Sequence, residues 1–281
     1  MPLLLLVSLL WAFSFGLIKG QLVGLDSSFV AAVRLALALL VFLPFLRLRD
    51  VGTKTALSLA GIGAVQFGLM YLAYIESFRY LRAYEAALFT ITTPILVTLF
   101  ADALDRTLRI RALLAALLAV GGAALVVVKS AEVNVTLMGL GLIQLSNAAF
   151  AIGQVLYRRL MLRDTTLRDR DVFGLPYAGA FAVALGAALV RGNPCADLTP
   201  PQAWTLLYLG VIPSGVGFFL WNVGATRVTA GTLAVMNNAK VPLAVAVSLV
   251  VFGESADLPR LLGAGALMAL AVWLAEKDVR S

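Results

Sequence analysis

The chain has no histidine, one cysteine and few charges for its length. The missing histidine removes His-based acid–base chemistry, His metal sites and His proton relays together. Cys195 alone can form neither an intrachain disulfide nor a cysteine metal cluster. No Walker-type lysine loop is present, so ATP hydrolysis is not built in. These absences leave no catalytic constellation, no metal ligand set and no cofactor to expect. Charged residues make up 13% of the 281 positions, against about 25% in soluble domains.

The bulk of the sequence is apolar instead. Hydrophobic residues account for 61% of the chain and the mean hydropathy is +0.96. A soluble core could not hide that much apolar surface, so the expectation is an all-α polytopic membrane protein whose main partner is the lipid bilayer. The net charge of +7 comes from basic residues placed between apolar runs, with no contiguous patch, which argues against nucleic acid. The N-terminal run lacks a basic leader segment and reads as a first span rather than a signal peptide.

Hydropathy predicts ten spans: Leu3–Val23, Phe29–Leu46, Ala56–Phe78, Tyr84–Ala101, Leu108–Val128, Leu137–Tyr157, Val172–Val190, Ala203–Asn222, Thr229–Val251 and Leu261–Leu274. With the N-terminus inside, fourteen of the 22 Lys and Arg residues fall on the cytoplasmic side, five outside and three within spans. Both termini are therefore expected in the cytoplasm, and the protein in the cell (inner) membrane. The longest polar connection, Arg158 to Asp171, reads as a solvated linker. It separates two halves, residues 1–130 and 131–281, in which features recur. A short hinge and then Pro94 in one half match a short hinge and then Pro242 in the other, and Tyr74 matches Trp221. Five spans per half is an odd number, so the halves must insert in opposite orientations. Inverted repeats with interrupted helices at matching positions are a transporter pattern, with the substrate at the repeat interface.

Lys240 is the most costly residue in this layout. It lies in the middle of the ninth span, roughly 16 Å from either end, too deep to snorkel. Pro242 removes the backbone donor that would have bonded the Asn238 carbonyl, just as Pro94 frees that of Thr90. Lys240, with Asn237 one turn away and Asn238 beside it, could hold a carboxylate or phosphate. A buried ion pair locking two helices is the plainer account.

The residues resemble the drug/metabolite transporter superfamily, specifically its ten-helix EamA-type members. The resemblance rests on Leu9-Leu10-Trp11-Ala12-Phe13, on Phe29-Val30-Ala31-Ala32-Val33-Arg34, on the proline-bearing helix of each half, and on Val251-Phe252-Gly253-Glu254. It implies ten transmembrane helices, as two inverted five-helix repeats around a central cavity. The first, third and fourth helices of each half would line that cavity, and the fifth would be peripheral. Phe100-Ala101-Asp102-Ala103 departs from the family's Gly-Glu, so any role of that glutamate passes only to Glu254, where helix capping is the simplest one.

On this scheme Trp11, Tyr71, Tyr74, Thr93, Asn147 and Trp221 are candidate substrate contacts beside Lys240, Asn237 and Asn238. Each has a packing or helix-bonding alternative. Glu76, Arg79 and Glu85 cluster near the predicted outer end as a proton-coupling or gating group, or as an interfacial salt bridge. Arg34 falls within snorkelling reach of its helix end and ranks below Lys240. The expected activity is secondary transport, by alternating access, of an anionic or zwitterionic small molecule. By the resemblance this means amino acids or related carboxylates, with export. A phosphorylated-sugar or nucleotide-sugar antiporter is the alternative, an intramembrane enzyme a remote one, and a homodimer is compatible with both transporter readings.

Overall fold

A backbone in lipid must satisfy its own polar groups, and for these apolar runs the helix is the available solution. In the computed structural model every regular element among the described residues is helical. The structure describes residues 1–22, 24–49, 51–81, 86, 89–127, 136–192, 197–243 and 258–277. Side chains of 12–16, 18–20, 126, 127, 258, 260, 261 and 277 fall outside that description, as do Glu85, Cys195 and Glu254 altogether.

The elements are α1 (Pro2–Gln21), α2 (Ser27–Phe45), α3 (Thr53–Ser77), α4 (Thr93–Asp105), α5 (Ile110–Val127), α6 (Leu137–Arg163), α7 (Asp169–Val190), α8 (Pro200–Ala225), α9 (Ala230–Met236) and α10 (Leu258–Lys277). Five of them, α2, α3, α6, α7 and α8, are long and apolar enough to cross a membrane unaided. Shorter apolar stretches lie in α1, α5 and α10. Asp26 caps α2 by accepting the Ser28 and Phe29 N–H groups at 2.9 and 3.2 Å. Thr199 and Gln202 form a capping box on α8.

Helix order in sequence is not helix order in space. α7 packs along α2 and α3, α10 along α5, α4 along α6, and α1 against α8. The α3–α7 seam brings the two backbones into contact. A Cβ added at Gly63 would sit 1.9 Å from the Pro176 carbonyl oxygen, and one at Gly179 would sit 1.9 Å from that of Ala60. Small residues permit this approach where no hydrophobic force pulls helices together in lipid.

The expected Arg158–Asp171 linker is corrected. α6 continues unbroken to Arg163 and α7 begins at Asp169, so the true connection, 164–168, is about a third as long. Arg158 does not face solvent. Its guanidinium donates to the Ala225 and Val228 carbonyls at 2.9–3.1 Å, satisfying acceptors at the end of α8 and in the connection to α9.

Candidate functional site

A cavity of about 700 Å³, counting its open mouth, lies among α1, α2, α3, α6, α8 and the approaches to α4 and beyond α9. No described lining residue comes from α5 or α10. Trp11, Phe150 and Phe218 form its ring wall, with Trp11 5.9 Å from Phe150 and 5.3 Å from Phe218. Thr90, Thr93, Ser146 and Asn147 form a polar wall, and Arg34 and Lys240 a basic one.

Arg34 is the residue the sequence misplaces. Instead of snorkelling outward it is 2% exposed and points into the bundle. The cause is in α8. Gly210–Gly217 is a π-helical segment containing Pro213, which has no N–H to give to the preceding turn. The neighbouring Ser214 donates its hydroxyl proton to the Leu209 carbonyl at 2.7 Å. Its oxygen is then an acceptor only, taking the Arg34 Nε proton at 3.1 Å and the Tyr71 hydroxyl proton at 2.9 Å. Tyr71, having spent its proton, accepts Arg34 Nη2 at 2.6 Å and lays its ring 4.4 Å from the guanidinium carbon. Arg34 Nη1 is buried without a partner among the described residues. Among the described residues no carboxylate faces this cation, although buried charges ordinarily find one.

Lys240 lies just past the turn that ends α9 and shares the cavity. Its nearest ring contact is Trp11, 5.9 Å from Nζ, and the described structure gives it neither a hydrogen bond nor an ion pair. The carbonyls expected to be free beside the prolines are not. Thr93 donates its hydroxyl to the Thr90 carbonyl at 2.7 Å, and the Val241 N–H takes the Asn238 carbonyl at 3.0 Å. The Phe89 carbonyl, also in the interrupted stretch, accepts from Thr92, Gln144 and Asn147. Neighbouring side chains thus re-satisfy the broken helix. Asn147 spends its amide nitrogen this way, on the Phe89 carbonyl at 2.8 Å and the Thr92 hydroxyl at 3.3 Å.

Of the sequence candidates, Lys240, Trp11, Tyr71, Tyr74, Thr93 and Asn147 line the cavity. Three do not. Asn237 exchanges hydrogen bonds with Gln154 at 3.3 Å, and Trp221 donates to the same glutamine at 2.9 Å. Trp221 backs the cavity wall by packing 4.9 Å from Trp11. Asn238 donates to the Ile91 and Ala119 carbonyls, which pins the α9 turn to α5 and to the approach of α4. Their amides and indole serve helix joins, which a polar residue in an apolar bundle does most cheaply.

Glu76 lies outside the cavity, in a cluster at the end of α3. It accepts from Arg79 at 3.0 Å, from Ser27 at 2.6 Å and from Arg191 at 2.9 Å. Arg191, just past α7, carries no sequence signal for this role. It also approaches Asp26 at 3.9 Å, so the cluster ties the start of α2 to the ends of α3 and α7. Burial pushes the Asp26 carboxyl up, but hydrogen bonds from Ser28 and Phe29 and the charge of Arg191 outweigh it and hold the group below its ordinary range. The hydrogen bond to Glu76 pushes Arg191 the other way, above its already high value. Every described partner of Glu76 is a donor. At the opposite end Asp102 accepts the Arg109 N–H at 2.8 Å just before α5. Asp102, which stands where the family has its Gly-Glu, thus satisfies a backbone donor at the start of α5. Asp105 joins Arg109 and, across the halves, Arg159.

The model of the EamA-like transporter family matches residues 1–128 and 137–275. A protein of Pseudomonas aeruginosa named probable biotin transporter is 43% identical over 99% of both chains. Proteins named biotin transporter in Salmonella typhimurium and Escherichia coli (strain K12) are 40% and 41% identical over 99% of this chain and 94% of theirs. A crystal structure covering 98% of this chain and 96% of its own superposes with a TM-score of 0.75 at 20% identity, which shows the shared fold. With its apolar helices and its cavity, the chain belongs to the EamA-like transporter family of the drug/metabolite transporter superfamily, and is a multi-pass inner-membrane transporter rather than an enzyme.

Proposed function

We propose that the chain carries biotin, or a carboxylate built like it, by alternating access around the central cavity. Biotin has one carboxylate on an apolar tail and, at the other end, a neutral bicyclic ring bearing a urea group. The observation that carries the reading is the partnerless Arg34 Nη1, buried in an aromatic cavity to which no described residue brings a carboxylate. A carboxylate there would form a charge-assisted pair, the ring wall would hold the apolar tail and bicycle, and Asn147 and the hydroxyls of the polar wall would face the urea. The names of the full-length relatives support the same substrate. An amino acid fits less well, because its ammonium group would meet a basic wall.

Two cations in one cavity also suit a phosphate, so a phosphorylated sugar is the alternative. The ring wall weighs against it. The paired π-helical segments in α3 (Ala64–Leu69) and α8, and the paired prolines of α4 and the α9 turn, support the reading of residues 1–130 and 131–281 as inverted repeats.

The test is exchange. Purified protein in liposomes loaded with biotin should exchange external labelled biotin. Amino acids and hexose phosphates should not compete, and Arg34→Gln should lose at least tenfold. Exchange of hexose phosphate without biotin would install the alternative instead.

A further inference from the structure

Arg34 on α2 and Lys240 beyond α9 face one cavity, and their situations differ. Arg34 is fixed by Ser214 and Tyr71, whereas Lys240 has no hydrogen bond or ion pair in the described structure. Among the described residues, the other titratable groups lining the cavity are the phenols of Tyr71 and Tyr74 on α3. α1 contributes Trp11, α6 contributes Ser146, Asn147 and Phe150, α8 contributes Pro213 and Phe218, and the stretch before α4 contributes Thr90 and Thr93. None of those titrates near neutral pH. A guanidinium does not give up its proton in a protein, but a lysine in a poorly solvated site without a counter-charge does.

We propose that Lys240 is the coupling group of this transporter, an amine in the empty cavity and an ammonium in the loaded one, so that one proton crosses with each monocarboxylate. The proposal rests on the carboxylate substrate argued above. The amine lone pair takes a proton from water on the side the cavity faces, while the carboxylate settles on Arg34 and compensates the added charge. When the carboxylate leaves on the far side, the Lys240 ammonium is left in the cavity without a counter-charge, and the proton follows the carboxylate out. Balance is kept at each stage. The empty cavity holds one positive charge, on Arg34. The loaded cavity holds two, less the carboxylate, so it carries the same net charge. Neither crossing step then moves charge through the membrane. Transport is electroneutral, and a pH difference can drive accumulation towards the alkaline side.

The experiment uses the full chain in liposomes containing a pH-sensitive dye, with protein-free liposomes as control. External biotin added at equal pH should acidify the lumen as it enters. An alkaline interior should drive accumulation by about tenfold per pH unit, and an imposed potassium diffusion potential at equal pH should leave uptake unchanged. Lys240→Gln should abolish the acidification, and any biotin flux left to it should respond to voltage. Wild-type exchange without acidification, or uptake driven by voltage, would overturn the coupling while leaving the substrate reading intact. Acidification that survives in Lys240→Gln would place the proton on another group and overturn it equally. Absence of biotin exchange in the wild type would overturn the substrate reading, and the coupling with it.

Discussion

Arg34 and Ser214, 180 positions apart, meet at 3.1 Å, and the serine is held for this contact by the Leu209 carbonyl, one turn before Pro213. Ser214→Ala removes the acceptor of Arg34 Nε and leaves the Leu209 carbonyl without that hydroxyl. Leaving a buried polar group unsatisfied costs about 1–3 kcal/mol. Part of that cost should appear as looser positioning of Arg34, raising the half-saturating biotin concentration in exchange by about tenfold, the equivalent of roughly 1.4 kcal/mol. Arg34→Lys should fare no better than Arg34→Gln, since a lysine cannot bond Ser214, Tyr71 and a carboxylate in one plane. Full exchange activity in Ser214→Ala would show that the cradle does not position the guanidinium.

The α3–α7 seam sets a second expectation. Gly63→Ala and Gly179→Ala each drive a Cβ into a backbone carbonyl, which side-chain rotation cannot relieve. Overpacking of this kind costs about 1–3 kcal/mol, read as a fall of several degrees in the melting temperature in detergent. Gly61→Ala, on the same helix but with nothing within 4 Å of the added Cβ, should be neutral or slightly stabilising. Equal melting temperatures for the three variants would refute close packing at this seam.

The cluster at the start of α2 has a defined pH window. Asp26 is held below its ordinary value of 3.8 in the folded state. Its contribution is therefore fully present above that value and is lost as pH falls through the lower folded one. Asp26→Ala should cost about 1 kcal/mol as a lost helix cap, evenly from pH 5 to 8. The gap to wild type in thermal unfolding should close only below pH 3.8. A gap that closes near pH 6 would assign the effect to some other group.

Lys240 and Trp11 can be read from the sequence because depth in an apolar run is a one-dimensional property. A charge in mid-span and an aromatic well inside a helix announce themselves by position alone. Asn237 and Asn238 mislead for the same reason. Position places them beside Lys240, but only three dimensions show that Gln154 and the Ile91 carbonyl already occupy their amides. Arg34 is undervalued because depth counted from its own helix end suggests escape to water. Ser214 and Tyr71, which keep it inside, sit on two other helices. The available clue is a Pro-Ser pair inside the apolar run of α8. Arg158 reads as solvent-facing because hydropathy ends a span where polarity begins, whereas α6 continues to Arg163.

The π-helical segments of α3 and α8 are invisible to hydropathy, yet they set the rotational phase of the helix beyond them. In α3, the cavity residues Met70, Tyr71 and Tyr74 all come after the segment Ala64–Leu69. One residue of helix corresponds to about 100° of rotation. Deleting a single apolar residue from that segment would leave a span of the same character and nearly the same length, while turning the tyrosines away from Arg34. A one-residue gap here is thus a functional change hidden inside an unchanged hydrophobic profile.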